Sequence, residues 1–146
     1  MIRPVTDADS AGWHALRNEP DVRFWSQYAQ PIPLEAHTRW WLRMRGNPEI
    51  HYLAVAQEPG HAPLNGYGRL QQSIDAEVSV GVRREARQSG IGTAMLAHLE
   101  TQARAEGVDR LVAYVQVGNV PSIALFQKAG YVMGTPPSYL QLVKVL

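Results

Sequence analysis

The sequence predicts a mixed α/β fold built on one layer of largely antiparallel sheet. Three observations lead there. The middle of the chain holds three short runs of β-forming residues joined by brief loops, the first third shows helical spacing of its apolar residues, and a strand then ends in a glycine-rich turn that starts a long helix.

Taken in order, residues 2–5 read as a short strand, and Thr6-Asp7-Ala8-Asp9 offers an N-cap and an acidic first turn for a helix across roughly 8–17. Pro20 stops that helix or sits in the turn after it. A second helix runs from Leu34 to about Arg45, with two of Trp40, Trp41 and Met44 on one face, and Gly46-Asn47-Pro48 ends it. His51 to Ala56 is a strand, and 57–66, with two Pro and two Gly, is a turn. Strands over 66–72 and 74–82 follow. In the latter Val78, Val80 and Val82 face one way, and Asp75, Glu77, Ser79 and Gly81 the other. A helix over about 90–106 carries Ile91, Met95, Leu99 and Ala103 at helical spacing and stops at Gly107. Then come a strand over 110–116, a helix opened by Asn119-Val120-Pro121 and ending at Gly130, and two final strands in 131–146 broken by Pro136-Pro137.

The composition narrows the function. With 146 residues, 45% hydrophobic and 18% charged, the chain is long and apolar enough for one folded domain over 1–146 and too apolar for a disordered one. Its net charge of +1 makes nucleic acid a poor partner, because no strong positive field is present. The absence of cysteine excludes disulfides, thiolate metal sites and cysteine nucleophiles. The five His form no ligand-spaced cluster, so no metal is expected. No stretch approaches the roughly 20 apolar residues of a membrane span, and the N-terminus lacks an apolar leader run. A cytoplasmic protein is expected, with no membrane partner.

The most informative stretch is Val82-Arg83-Arg84-Glu85-Ala86-Arg87-Gln88-Ser89-Gly90-Ile91-Gly92-Thr93, where a strand ends in a loop that starts a helix. Amides at a helix N-terminus have no helical partner and face outward with the positive end of the macrodipole, and glycines let an oxyanion approach the backbone. Gly90 and Gly92 could equally relieve crowding at the turn. A P-loop would need Lys before Thr93, and a dinucleotide loop would need a small third residue where Met95 stands. The pattern Arg/Gln-x-x-Gly-x-Gly/Ala fits Arg87 to Gly92 at every specified position. This loop resembles the pyrophosphate loop of the GNAT superfamily of N-acetyltransferases. Downstream, Asn119-Val120-Pro121-Ser122-Ile123-Ala124-Leu125-Phe126-Gln127-Lys128-Ala129-Gly130-Tyr131 is similar to the superfamily's Asn-x-x-Ala-x-x-Leu-Tyr-x-x-x-Gly-Phe segment, without a gap.

The resemblance implies a sheet whose fourth and fifth strands splay apart, helices on both faces, and acetyl-coenzyme A lying in the gap. It implies cofactor contacts from Val80, Val82, Arg87, Gln88, Ser89, Gly90, Ile91, Gly92, Thr93, Asn119, Ser122 and Phe126. A backbone N–H around Val80 to Val82 would face the tetrahedral oxyanion. Phe126 stands where the superfamily often has a Tyr that protonates the departing thiolate. A phenyl ring donates no proton, and Tyr131, Tyr139 and Ser122 are the remaining candidates. An amine attacks only when neutral, and Glu77 stands on the strand where many members carry a Glu base. Asp75 is the fallback. Glu77 could instead be a strand carboxylate paired with an Arg such as Arg69.

For the acceptor, Arg17-Asn18, Val22-Arg23-x-Trp25 and His37-x-x-Trp40 resemble the nucleotide-amino-sugar N-acetyltransferases of pseudaminic acid biosynthesis. That likeness implies a small-molecule amine on a UDP-linked sugar, with Arg17, Asn18, Arg23, Trp25 and Trp41 as contacts: arginines on the diphosphate, tryptophans on a uracil or sugar face. Trp40 and Trp41 fit a core role equally well, and His37 a packed or capping one. Aminoglycosides and protein N-termini are the alternative acceptors, and a non-catalytic acetyl-coenzyme A sensor is the alternative of another class. A homodimer is compatible with all of these.

Overall fold

The computed structural model describes residues 1–26, 28–60, 63–72, 76–134 and 139–146, the side chains of 139 and 140 excepted. Within them the elements are β1 (Ile2–Pro4), α1 (Ser10–Arg17), α2 (Pro20–Phe24), α3 (Leu34–Arg45), β2 (His51–Ala56), β3 (Gly66–Gln71), β4 (Ala76–Val82), α4 (Ile91–Ala105), β5 (Arg110–Gln116), α5 (Val120–Lys128), β6 (Val132–Met133) and β7 (Tyr139–Val145). Single 3-10 turns over Asp7–Asp9 and Arg84–Ala86 precede α1 and α4. The expected strand start at residue 74, Asp75 and Pro136-Pro137 lie outside the described residues.

The strands form one sheet in the order β1-β2-β3-β4-β5-β7-β6, antiparallel throughout except between β4 and β5. Alternation along each strand sends side chains to two different cores. Ala54, Ala56, Leu70 and Val78 join Met95, Leu96, Leu99 and Ala103 of α4 and Phe126 of α5 on one side. Leu53, Val55 and Tyr67 join Trp13, Leu16, Val22, Trp41 and Met44 of α1 to α3 on the other. The register of α4 follows its sequence spacing: Met95, Leu99 and Ala103 are completely buried. Helices thus cover both faces.

Two local readings are corrected. Pro20 neither stops the first helix nor sits in a turn; it begins α2, because its fixed φ suits a first helical position and the residue before it, Glu19, is extended at ψ 136°. The polar face of β4 is less exposed than its composition suggests. Gly81 is buried because the Tyr67 ring lies over it: a Cβ there would stand 2.3 Å from Tyr67 Cε1. Glycine is required at that point by close approach.

Candidate active site

The site begins where two parallel strands stop pairing. Among the described residues β4 and β5 share only Ala76↔Leu111 and Glu77↔Val112, after which they diverge. On its other edge β4 stays paired with β3 to the end, and Arg83 N–H donates to Asn65 O at 2.8 Å. Antiparallel ladders alternate bonded and non-bonded pairs, so the residues opposite Tyr67 and Arg69 (Gly81 and Ser79) bond to β3, whereas the main-chain groups of Val80 and Val82 turn toward the gap. A groove of about 1050 Å³ passes over this gap. It has two halves.

The donor half is the loop from β4 into α4. Gln88 and Gly90 take left-handed backbone conformations, φ 61° and 84°, which fold the loop back over the helix start. Nothing lies within 4 Å of a Cβ added at Gly90, so backbone conformation and not crowding calls for glycine there. The first amide with a helical acceptor is that of Ala94, bonded to Gly90 O at 3.0 Å, which leaves those of Ile91, Gly92 and Thr93 without helical partners; no side chain caps them. Gly92 has a second reason to be glycine, since a Cβ would meet Leu125 Cδ2 of α5 at 3.0 Å. Arg87 Nε donates to Val82 O at 3.2 Å, Arg87 Nη1 lies 3.8 Å from Asp21, and Ser89 Oγ donates to Ala86 O. Across the gap Asn119 caps α5, accepting from Ser122 N at 3.4 Å. Asn119, Ser122 and Phe126 border the groove, as do Arg87, Gln88 and Gly90 to Thr93; Ser89 does not.

Phe126 is buried and meets Tyr131 edge-on at 5.0 Å. The Tyr131 hydroxyl is itself enclosed without a partner, and burial, then the charge of Glu100, pushes its ionisation far above the usual phenol range. Tyr131 does not line the groove, which removes it as the acid; the Tyr139 side chain lies outside the described residues. Ser122 lines the groove, and so does Tyr114, which the sequence reading had not singled out.

The acceptor half gathers side chains from α1, α2, α3, β3 and β4. Glu77 lines it, and its Oε1 lies 3.7 Å from Arg69 Nη2, a diagonal neighbour on β3. Glu77 thus faces the groove and is paired. Arg17 and Trp25 also line it. Three other expected contacts do not. Asn18 Nδ2 donates to Ile32 O at 2.9 Å and its Oδ1 accepts from Ile32 N at 2.8 Å, so it fastens the segment leading into α3. Arg23 Nε donates to Asn18 O at 2.9 Å and Nη1 to Ala29 O, bracing the same loop. Trp41 is 4% exposed, packs on Trp13 and donates to Asp7 Oδ1. Trp40 lines the groove instead, with Trp13, Tyr67 and His37. His37 is buried, its Nε2 3.0 Å from Ser10 Oγ; burial, and then the charge of His14, lowers its pKa.

Among the described residues no group of His, Cys, Asp or Glu could hold a metal ion, and no helix is long and apolar enough to cross a membrane. The profile of the Acetyltransferase (GNAT) family matches residues 11–131. The chain belongs to the GNAT family. A protein of Pseudomonas aeruginosa, and its counterpart in Pseudomonas paraeruginosa, described as L-methionine sulfoximine/L-methionine sulfone acetyltransferases, are 40% identical over 143 aligned positions covering 89% of this chain and 78% of theirs. Among solved structures, a ribosomal-protein-alanine N-acetyltransferase from Brucella melitensis is 26% identical with a TM-score of 0.83, covering 100% of this chain and 99% of that one. A phosphinothricin acetyltransferase from Sinorhizobium meliloti, solved with acetyl-CoA, shares the fold at a TM-score of 0.85 and 19% identity, covering 100% and 88%.

This GNAT protein is an acetyl-CoA-dependent N-acetyltransferase. Its groove fits that co-substrate on its own chemistry: amides without helical partners at a helix start suit a diphosphate, and an unpaired strand edge suits the amide-bearing pantetheine arm. The amino-sugar-nucleotide likeness gains no such support. Of its five expected contacts Arg17 and Trp25 line the groove, whereas Asn18, Arg23 and Trp41 are engaged in the protein's own loop and core, and the relatives above bear other substrates' names.

Proposed function

We propose that the enzyme acetylates the α-amino group of a small amino acid analogue of the methionine sulfoximine or sulfone kind. The observation that carries this reading is the make-up of the acceptor half: the Arg69–Glu77 pair and Arg17 set among Trp13, Trp25, Trp40 and Tyr67. Cationic groups beside the Glu77 carboxylate, walled by aromatic rings, suit a small zwitterion with a short, compact side chain. The groove must also hold the pantetheine arm, and what remains of about 1050 Å³ suits a molecule of amino-acid size better than a nucleotide sugar. The relatives' names point the same way.

Glu77 is the proposed base. An α-ammonium is mostly protonated at neutral pH, and its nitrogen must lose a proton before it can attack. The ammonium passes one proton to the Glu77 carboxylate, directly or through a water; the neutral nitrogen then forms a bond to the thioester carbonyl carbon, the C–S bond breaks as the tetrahedral intermediate collapses, and the nitrogen's second proton is lost to solvent. Amides of Val80 or Val82, facing the gap, would stabilise the oxyanion. The departing thiolate, with a pKa near 8.5, is protonated by solvent or by a hydroxyl such as Ser122 or Tyr114 that borders the groove. Arg87, Gln88 and the amides of Gly90 to Thr93 are the proposed diphosphate cradle, with Asn119 and Ser122 along the arm. Acetyl-CoA is a cytoplasmic metabolite, and the cytoplasm is the compartment proposed for the reaction.

The test is release of free thiol from acetyl-CoA, offered L-methionine sulfone, L-methionine sulfoximine, a UDP-amino sugar and an aminoglycoside in parallel. Saturable release with the first two, at a kcat/KM at least about 100-fold above the others, is expected. A higher kcat/KM for the sugar nucleotide or the aminoglycoside would overturn the assignment.

A further inference from the structure

The acceptor reading leaves open which group recognises the amino acid's carboxylate, and three arginines border the groove: Arg17, Arg69 and Arg87. Two are already answered by carboxylates. Arg69 lies 3.7 Å from Glu77, and Arg87 lies 3.8 Å from Asp21 at the donor end. Arg17 differs. Its Nη2 donates to Tyr28 O at 3.1 Å, while its Nη1 is shielded from solvent and has no hydrogen-bond partner. Among the described residues no carboxylate pairs with it.

A guanidinium nitrogen enclosed without an acceptor is an unfavourable arrangement, because its N–H groups have given up water and gained nothing. The fold nevertheless holds it in place. Arg17 is the last residue of α1, where the carbonyl end of the helix favours a cation, and the bond to Tyr28 O fixes one arm of the fork. The groove wall is aromatic there, with Trp13 and a buried Tyr67. Arg17, Arg69 and Tyr67 all line the groove. Such a fork, with one arm anchored and the other without an acceptor, suits an incoming carboxylate.

We propose that Arg17 binds the α-carboxylate of the acceptor, which turns the α-amino group toward Glu77 and the gap between β4 and β5. This rests on the amino acid reading above. It makes Arg17 the residue that distinguishes α-amino acids from simple amines, while Arg69 serves the base.

The experiment compares kcat/KM for L-methionine sulfone with that for its carboxamide, in the wild-type enzyme and in Arg17→Gln and Arg17→Lys. Wild type should prefer the acid by about 10- to 100-fold, the range of a charge-assisted hydrogen bond lost. Arg17→Gln should raise KM for the acid and collapse the acid-to-amide ratio toward one, with Arg17→Lys between the two. Acetyl-CoA affinity, followed by calorimetry, should stay near wild type and so reports that the variants fold. An acid-to-amide ratio near one in wild type, or an unchanged ratio in Arg17→Gln, overturns the role of Arg17 while leaving amino acid acetylation standing. No thiol release with any α-amino acid overturns both. The wild-type ratio requires no variant, so a misfolded Arg17→Gln does not rescue the proposal.

Discussion

The donor half of the groove is made of main chain and the acceptor half of side chains. On the donor side, amides of Ile91, Gly92 and Thr93 without helical partners, the left-handed turns at Gln88 and Gly90 and the open edge of β4 form a surface on which few side chains matter. On the acceptor side Arg17, Trp40, Arg69 and Glu77 come from four elements and Trp25 from the end of α2, and they meet only because α1 to α3 fold over the sheet. A backbone cradle is suited to a constant ligand, and a side-chain wall to one that varies between relatives. One can drift in sequence without disturbing the other.

Breaking the donor half alone should have the largest effect. Gly90→Pro demands a φ near −65° where the chain stands at 84°, so it should abolish acetyl-CoA binding, read as loss of the thermal shift with cofactor. A full shift would separate the loop from the diphosphate. Gly92 is a poorer probe, since any side chain there also strikes Leu125.

Glu77→Gln addresses the point where the halves meet. It should lower kcat by about 10²–10⁴-fold, with acetyl-CoA affinity near wild type. Full activity at neutral pH would remove Glu77 as the base and leave it as a partner of Arg69.

The smallest effect is expected in the acceptor wall's stability. Burial, and secondly His14, lowers the His37 pKa, so the native protein refuses a proton that the unfolded chain accepts. Stability on this account is complete above the unfolded value of about 6.5 and declines as pH falls from there toward the lower folded value. Tm should fall by a few degrees across that window, and His37→Gln should flatten the dependence; an unchanged slope would exclude His37 as its source.

The asymmetry between the halves also explains what could be read in advance. Strands His51–Ala56 and Arg110–Gln116 and helix Leu34–Arg45 follow from periodicity and breakers, and the donor loop follows from a contiguous run of residues. The acceptor contacts were harder. Asn18, Arg23 and Trp41 have the chemistry of ligand-binding groups, but local geometry turns them to Ile32, Ala29 and Asp7. Arg69 drew attention only as a partner for Glu77, and strand register, not composition, placed both on the groove face. Nothing in the spacing of Trp13, His37 or Tyr67 announces that they share a wall.

The amino-acid sequence by itself determined the fold class and the glycine-bearing turn, because both are written in patterns of residues close along the chain, and its resemblance to the GNAT superfamily implied the acetyl-CoA-dependent chemistry. Only the tertiary structure decided which polar side chains reach the groove, which arginine lacks a carboxylate, and that Glu77 is paired. Those outcomes depend on the packing of helices over a sheet, where a rotation of one side chain separates a ligand contact from a loop brace.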